Sequence, residues 1–268
     1  MKIAAGQFMP CVEMESRATT SVFRECVCAL PILKTFIITG DDFGRSAAVN
    51  DAVERSHRRG VLTQASLMVN EPRAEEAADI ARRNPRLCVG LHLTLCTGRA
   101  SGVSAITDAV GNFAPSPAKA GWRYFFRPSL AGALGAEIRA QFEKFRVLGF
   151  PPTYWDGHTH LHLHPVIFDL TLPIAREHGF TFTRLVREPK PRSVLGHIFA
   201  GLSARARPRL IAHGIAVADH VCGLRETGRM TNAAFRRLIA RAPDGTTEIY
   251  FHPGAEPEEL EAVSQRSG

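Results

Sequence analysis

Short apolar runs alternate with amphipathic stretches along most of the chain. Residues 36–39 (FIIT), 65–69 and 88–95 have the apolar character and the short length of buried strands. Residues 46–59 and 73–83, which lie between them, repeat apolar side chains at helical spacing. Strands that alternate with helices of about 10–15 residues predict βαβ units and a parallel sheet.

The second half of the chain continues this alternation. The pattern there predicts helices over 134–148, 166–178, 231–241 and 256–264, and strands over 180–185 and 247–252. Residues 98–120 are rich in Gly, Ser and Pro and predict a loop that is long enough to act as a lid over a substrate. Residues 190–214 are basic and irregular in pattern. We therefore expect an α/β fold with one barrel-like domain.

The first 33 residues do not share the alternation. They contain half of the cysteines, show no clear period, and lack both the apolar core and the small-residue cleavage site of a signal peptide. We expect residues 1–33 to be a poorly ordered extension or a misassigned start, and residues 34–268 to be the functional domain.

Composition narrows the classes of partner. The chain has 33 Lys and Arg residues against 26 Asp and Glu residues, a formal net charge of +7. The basic residues are scattered and are not interleaved with aromatic ones, which argues against nucleic acid and leaves a mild attraction to anionic membranes. The apolar runs are all shorter than the roughly 20 residues that span a bilayer. The six cysteines form no CxxC pair, which is typical of free thiols. We expect a cytoplasmic protein with peripheral contact at the inner membrane.

Residues of catalytic type lie at or just after four predicted strand ends. They are the pair Asp41–Asp42, His92, the histidines that begin at His158, and His252. The carboxyl ends of parallel strands meet at one edge of a sheet, where the active sites of α/β proteins gather. This coincidence predicts one site built from all four.

Asp41 and Asp42 follow the first predicted strand in the motif GDDFG. Adjacent carboxylates in an extended segment point in opposite directions, so one could bind a metal ion while its neighbour accepts a proton from the attacking water. The alternative is a helix-entry turn, because Asp is favoured at helix starts.

The two isolated histidines have plain structural alternatives. His92 shares a predicted strand face with Gly90 and Thr94, whose small side chains would leave room for a ligand. A lone histidine in an apolar strand is, however, often a satisfied core residue. His252 precedes a proline, as a loop-entry residue can, but it could also act as a general acid facing a metal ion.

The segment WDGHTHLHLHP places four histidines at every second position. If it is extended, they begin on one face, yet residues i and i+2 of a strand lie about 6.6–7 Å apart, whereas metal–nitrogen bonds are about 2.0–2.1 Å long. We therefore expect His158 to reach the metal and His160 to be a second ligand or a pocket wall. His162 and His164 would lie progressively farther away on the following loop. Asp156 could orient an imidazole.

Arg184 and Trp122 join Asp156 and His160 as candidates for supporting the site or contacting the substrate. Trp122 belongs to GWRYFFRPSL at 121–130, where aromatic residues and arginines alternate. That stretch is either a helix packed on the core or a rim that meets a lipid or the membrane interface.

With these residues identified, the chain resembles the YdjC-like carbohydrate deacetylases, which remove acetyl groups from N-acetylglucosamine units. The motifs that carry the resemblance are ITGDDFG, VGLHLTL, DGHTHLHLHP and FHPG, over about residues 34–254. The segment NDAVERSHRRGVLTQASLMVN is similar to the hopanoid-biosynthesis-associated branch, which is thought to act on an N-acetylglucosaminyl hopanoid lipid.

The resemblance implies a fold and a role for each motif residue. The fold would be a distorted (β/α) barrel related to the polysaccharide deacetylases. Asp42, His92 and His158 would bind one divalent metal ion, Asp41 would be the general base, and His252 would be the acid or oxyanion partner. The family often has an unbroken histidine triplet where this chain has His158–Thr159–His160, so a secondary role at position 159 would be lost.

The implied reaction is hydrolysis of an acetamide to acetate and a glucosamine. Two histidines and one carboxylate suit Zn²⁺ better than Mg²⁺, and the resemblance leaves Mg²⁺ open. The substrate would be an N-acetylglucosamine-bearing lipid or, alternatively, a soluble chito-oligosaccharide.

Two further alternatives stand beside this one. DGHTHLH is similar to the His–x–His strand of the amidohydrolase superfamily, which leaves GDDFG and VGLHL unexplained. A metal-dependent carbohydrate-binding protein without catalysis would tolerate Asp41→Asn, whereas a deacetylase would not.

Overall fold

Seven parallel strands form the centre of the fold. The structure is a computed structural model that describes residues 34–254 and the backbone of Val12–Glu13. Its strands are β1 (Val12–Glu13), β2 (Lys34–Phe43), β3 (Gln64–Leu67), β4 (Cys88–Leu93), β5 (Tyr154–Gly157), β6 (Phe182–Thr183), β7 (His220–Cys222) and β8 (Gly245–Phe251). Its helices are α1 (Ala47–Arg58), α2 (Ala74–Arg83), α3 (Pro117–Phe126), α4 (Ala131–Val147), α5 (Pro165–Glu177), α6 (Val194–Ala212) and α7 (Asn232–Arg241). Two 3-10 helices span Pro128–Leu130 and His158–Leu163.

The sheet curls until its two edges meet. Its order is β6-β5-β4-β3-β2-β8-β7 with every neighbouring pair parallel, and β1 pairs antiparallel with β2. Ala216, which lies just before β7, bridges to the strand at the other edge. Thr183 of β6 donates its N–H to the carbonyl of Ala216 (3.1 Å), and Ala216 donates its N–H to the carbonyl of Thr181 (2.8 Å). The predicted α/β class, a distorted (β/α) barrel in one domain, is therefore confirmed.

The helices begin where the sequence supplies capping side chains. Ser46, Ser116, Ser193 and Thr231 each accept a hydrogen bond from the backbone N–H three residues on, at the starts of α1, α3, α6 and α7. The strands are buried on both faces, as expected for a parallel sheet that helices cover. This burial holds the carboxyl ends of the strands in fixed positions.

Helices occur in two segments where the sequence predicted none. Residues 190–214 include α6, whose buried stripe is Gly196, Ser203, Ala206 and Leu210. These residues have helical spacing, but three of them are small, so the stripe gave no apolar period. The predicted loop at 98–120 ends inside α3, which Ser116 caps. Strand β7 is only three residues long and was not predicted.

Several sequence-based expectations concern the ends of the chain. The helix predicted over 256–264 and the nature of residues 1–33 lie outside the described residues. Within 34–254, the three cysteines are free thiols. Across the same residues, no helix is both long enough and apolar enough to span a bilayer.

Candidate metal centre

A β-bulge lies at the two adjacent aspartates. Gly40 pairs with Ala65 and Phe43 with Leu67, so β2 advances three residues while β3 advances two. Asp42 lies in the bulge with a positive φ of 63°. Asp tolerates this left-handed conformation better than most residues. The bulge thus interrupts the alternation of the strand, and the carboxylates of both Asp41 and Asp42 lie within 4.8 Å of a His92 nitrogen.

Three buried atoms converge beside the bulge. Asp42 Oδ1 lies 2.8 Å from His158 Nδ1 and 3.3 Å from His92 Nε2. None of the three atoms has a partner in hydrogen-bonding geometry. Buried polar atoms without partners are costly unless a ligand satisfies them.

Neighbouring side chains hold the two histidines of this triad. His92 Nδ1 donates to Asp156 Oδ1 (2.6 Å), which leaves Nε2 facing Asp42. His158 Nε2 lies 2.6 Å from Thr97 Oγ1, which leaves Nδ1 facing Asp42. Hydrogen bonds of this kind fix the tautomer and the ring orientation of metal-binding histidines.

Asp42, His92 and His158 fit a divalent cation. Their donor atoms all lie within 4.8 Å of one another, and they comprise two imidazoles and one carboxylate, a set that suits Zn²⁺. Asp41, His92 and Asp156 also cluster within this distance. The carboxylates of that second set are already engaged by Arg184 and Ser66, so it fits a cation less well.

Beneath the triad, one buried arginine joins three carboxylates. Arg184 donates from Nη1 and Nη2 to the two oxygens of Asp41, each at 2.8 Å. Its Nη2 lies 2.9 Å from Asp156 Oδ2, and its Nε donates to Glu248 Oε1 at 2.8 Å. Arg184 has no exposed surface and does not line the pocket above. Its contacts are those of a residue that supports the carboxylates.

Burial and charge set the ionisation of the cluster. Burial raises the pKa of Asp42, but contacts with His158 and His92 outweigh it and hold the pKa well below its usual range. Burial lowers the pKa of His92, but the charge and hydrogen bond of Asp156 raise it to about 10. Without a cation, His92 therefore carries a proton on both nitrogens, and one proton must leave before Nε2 can bind metal.

The four histidines after Asp156 do not form one extended face. β5 ends at Gly157, and His158–Leu163 is a kinked 3-10 helix in which Thr159 and His160 have positive φ. A Cβ on Gly157 would lie 2.7 Å from His162 Nδ1, so the chain can fold back over this residue only because it is glycine.

Each of these histidines consequently has a different neighbour. His160 Nε2 lies 2.9 Å from the hydroxyl of Tyr250, so this histidine is a pocket wall and belongs to neither set of candidate metal ligands. His162 is buried and donates to Arg184 O (2.9 Å). The prediction that it lies farther out on a loop was wrong, because the fold-back places it under the site. His164 lines the pocket.

Backbone strain is concentrated at this centre. Within the part of the chain that the structure describes, the non-glycine residues with positive φ are Asp42, Thr97, Thr159 and His160. Asp42 belongs to the triad, Thr97 contacts His158, and Thr159 and His160 directly follow His158 in the chain. Such conformations cost about 1–3 kcal/mol each and persist where function requires them.

A pocket of about 620 Å³ opens above the triad. Asp41, His158 and His252 line its polar part. The rest is largely apolar, with Leu161 from the 3-10 helix and residues of α3 and α6. This shape would take a ligand that has both a polar and an apolar part.

One expectation about the pocket is wrong, and Trp122 lies on the rim of the fold. The space expected beside Gly90 is filled, because a Cβ there would lie 2.4 Å from the ring of Tyr154. Trp122 is 68% exposed and does not line the pocket. It lies on α3 and stacks on Phe126, with 4.3 Å between ring centroids.

Sequence reasoning missed three members of the cluster. Glu248 and Tyr250 alternate with His252 on one face of β8, and this parity in TEIYFH could have identified them. Ser66, which donates to Asp156 Oδ2 (2.8 Å), had no comparable signal.

Comparison with known proteins gives relatives that are named as deacetylases of carbohydrates. A carbohydrate deacetylase of Brevibacillus brevis is 36% identical over 53% of this chain. One of Mus musculus is 31% identical over 81% of this chain and 77% of its own length. A chitooligosaccharide deacetylase of Serratia marcescens is 33% identical over 60% of this chain and 63% of its own length. The match spans only 56% of the Brevibacillus protein.

The fold and the family model agree with these matches. A candidate cellobiose-phosphate cleavage protein of Enterococcus faecalis V583 superposes with a TM-score of 0.61 over 82% of this chain and 80% of that one. Its identity is 22%, so the likeness concerns the fold alone. The model described as YdjC-like protein matches residues 35–268. The chain therefore belongs to the YdjC-like protein family.

Proposed function

We propose that this protein is a metal-dependent carbohydrate N-deacetylase. The observation that carries the proposal is the convergence of three unpartnered buried atoms, from Asp42, His92 and His158, beside a pocket that His158, Asp41 and His252 line. The names of the carbohydrate deacetylase relatives support the same chemistry.

The residues divide the reaction between them. Asp42, His92 and His158 would hold a divalent cation, Zn²⁺ or Mg²⁺, which when bound lowers the pKa of water and polarises an amide carbonyl. Asp41 accepts the proton of the attacking water, while Arg184 fixes both of its oxygens. His252 donates a proton to the departing amine. Water and the acetamide thus become acetate and a glucosamine.

The apolar part of the pocket favours a lipid-linked substrate. Leu161, Leu195, Phe199, Leu202 and Leu224 line it, and a free sugar would leave these side chains facing water. An N-acetylglucosaminyl hopanoid satisfies both parts, with the acetamide at the triad and the polycyclic group against the leucines. The alternative is a soluble chito-oligosaccharide, which the name of the Serratia relative favours.

The test is acetate release by the metal-loaded protein from an N-acetylglucosaminyl hopanoid and, separately, from diacetylchitobiose. Hydrolysis of the lipid alone supports the hopanoid substrate, and hydrolysis of the sugar alone supports the alternative. Acetate release from neither, with metal bound, would contradict the deacetylase and favour a carbohydrate-binding protein.

Glu248→Gln is the matched control for Asp41→Asn. Both variants remove a carboxylate that accepts hydrogen bonds from Arg184, but only Asp41 lines the pocket. A general base at position 41 predicts that Asp41→Asn loses acetate release while Glu248→Gln keeps most of it at similar thermal stability. Equal loss in both would reduce Asp41 to a structural partner of Arg184.

A further inference from the structure

Two helices that line the pocket also present large apolar side chains to solvent. Gly121 of α3 lines the pocket, and the same helix exposes Trp122, Phe125 and Phe126 by 50–68%. Leu195 of α6 lines the pocket, and its neighbours Val194 and Ile198 are 80% and 52% exposed. Exposed apolar residues on two pocket-lining helices are typical of a docking face.

A groove of about 420 Å³ lined by five arginines lies next to this face. They are Arg192, Arg225, Arg229, Arg237 and Arg241. Within residues 34–254, none of them forms an ion pair with a carboxylate, and Glu226 is the acidic residue among the lining. The lining of the groove therefore has an excess of positive charge, with five arginines beside one glutamate.

The groove and the pocket are lined by neighbouring residues of the same chain segments. The loop after β7 contributes Leu224 and Thr227 to the pocket and Arg225 and Arg229 to the groove. At the start of α6, Arg192 of the groove is two residues before the exposed Val194. Apolar side chains and arginines thus surround one mouth.

We propose that this mouth docks on an anionic membrane surface. The exposed residues of α3 and α6 enter the boundary between headgroups and acyl chains, and the arginines contact lipid phosphates. Amphipathic surfaces bind bilayers through these two contributions together. The pocket then opens toward the lipid, so an amphipathic substrate reaches the triad without crossing water. Only this last consequence rests on the proposed function, since docking itself does not depend on catalysis.

Trp122 provides an internal reporter for the test. The chain has two tryptophans, and the other, Trp155, is 2% exposed. Binding to vesicles that contain phosphatidylglycerol should shift the emission of Trp122 to shorter wavelength, and Trp122→Phe should remove the shift. Vesicles of phosphatidylcholine alone should bind at least tenfold more weakly. Equal binding to both, or no shift, would overturn the proposal.

Surface variants separate docking from folding and catalysis. Val194→Ser with Ile198→Ser should weaken co-sedimentation with anionic vesicles at least tenfold, while Ile211→Ser should leave it unchanged. Ile211 is the matched control because it is 59% exposed on α6 about 20 Å from Ile198 along the helix axis. Wild-type binding by the double variant would contradict the docking face.

The arginine groove is tested in the same way. Arg237→Gln with Arg241→Gln should weaken binding to anionic vesicles by about 25-fold, at about fivefold for each charge near the surface. Unchanged binding would remove the groove from the proposal. Hydrolysis of diacetylchitobiose without vesicles, measured on wild type, tests the deacetylase separately. Absence of acetate release from both diacetylchitobiose and the N-acetylglucosaminyl hopanoid, alongside normal docking, would refute the proposed function and leave the docking face standing.

Discussion

Replacing Arg184 by Met should destabilise the protein strongly. Arg184 is fully buried and contacts three carboxylates, those of Asp41, Asp156 and Glu248, at 2.8–2.9 Å. Met fills a similar volume but supplies no charge and no donor. The variant therefore leaves three buried acidic groups without their shared cation.

The magnitude follows from this burial. Removing one partner of a buried ion pair costs about 3–5 kcal/mol. For a domain of this size, about 2–4 °C of melting temperature is lost per kcal/mol. The expected fall for Arg184→Met is therefore about 6–20 °C.

Arg139→Met is the matched control. Arg139 Nη1 lies 2.8 Å from Glu177 Oε1, the same separation as in the Arg184–Asp41 pair, but both side chains are about half exposed. Exposed pairs contribute about 0–1 kcal/mol. Thermal unfolding followed by circular dichroism should show a small change for Arg139→Met beside the large one for Arg184→Met. Similar melting temperatures for the two variants would refute the assignment of stability to the buried network.

Three other predictions address metal, packing and pH. A chelator should abolish acetate release and lower the melting temperature, and added Zn²⁺ should restore both; activity unaffected by chelation would exclude the metal. Gly90→Ala should destabilise the protein because its Cβ would lie 2.4 Å from the ring of Tyr154, whereas Gly132→Ala in α4, which meets nothing within 4 Å, should stabilise it by about 0.5–1 kcal/mol. Comparable effects of both in urea unfolding would contradict the packing. Burial lowers the pKa of His162 from 6.5 to about 4. The neutral His162 therefore contributes fully to the free energy of unfolding above pH 6.5, and this contribution falls as the pH drops toward 4. His162→Gln should flatten the dependence of stability on pH between these values, and an unchanged dependence would contradict this role of His162.

Much of the fold could be predicted because the periods of the chain are local. The parallel sheet and α1, α2, α4, α5 and α7 follow from apolar spacing over single elements. α6 was missed because its buried stripe consists mostly of small residues. β7 was missed because three residues are too few to show a period. The meeting of β6 with the segment before β7 depends on the curvature of the whole sheet, which no short segment encodes.

The candidate site could also be predicted only in part, where the signal is local in the sequence. Asp41, Asp42, His92, His158 and His252 could be proposed because each ends a predicted strand. Strand alternation predicted opposite directions for the two aspartates, but a bulge that the sequence GDDFG does not reveal brings both carboxylates to His92. The histidine segment misled because its period of two is also that of a strand. Its 3-10 conformation requires the close approach of His162 to Gly157, a contact seen only in the folded chain.

The measurement that tests the central claim most directly is the metal content of three proteins beside their rate of acetate release. If the adjacent aspartates have separate tasks, wild type binds about one equivalent of Zn²⁺ and releases acetate. Asp41→Asn should then keep the metal and lose acetate release, while Asp42→Asn loses both. Metal retained by Asp42→Asn, or lost from Asp41→Asn as readily as from Asp42→Asn, would contradict this division between ligand and base.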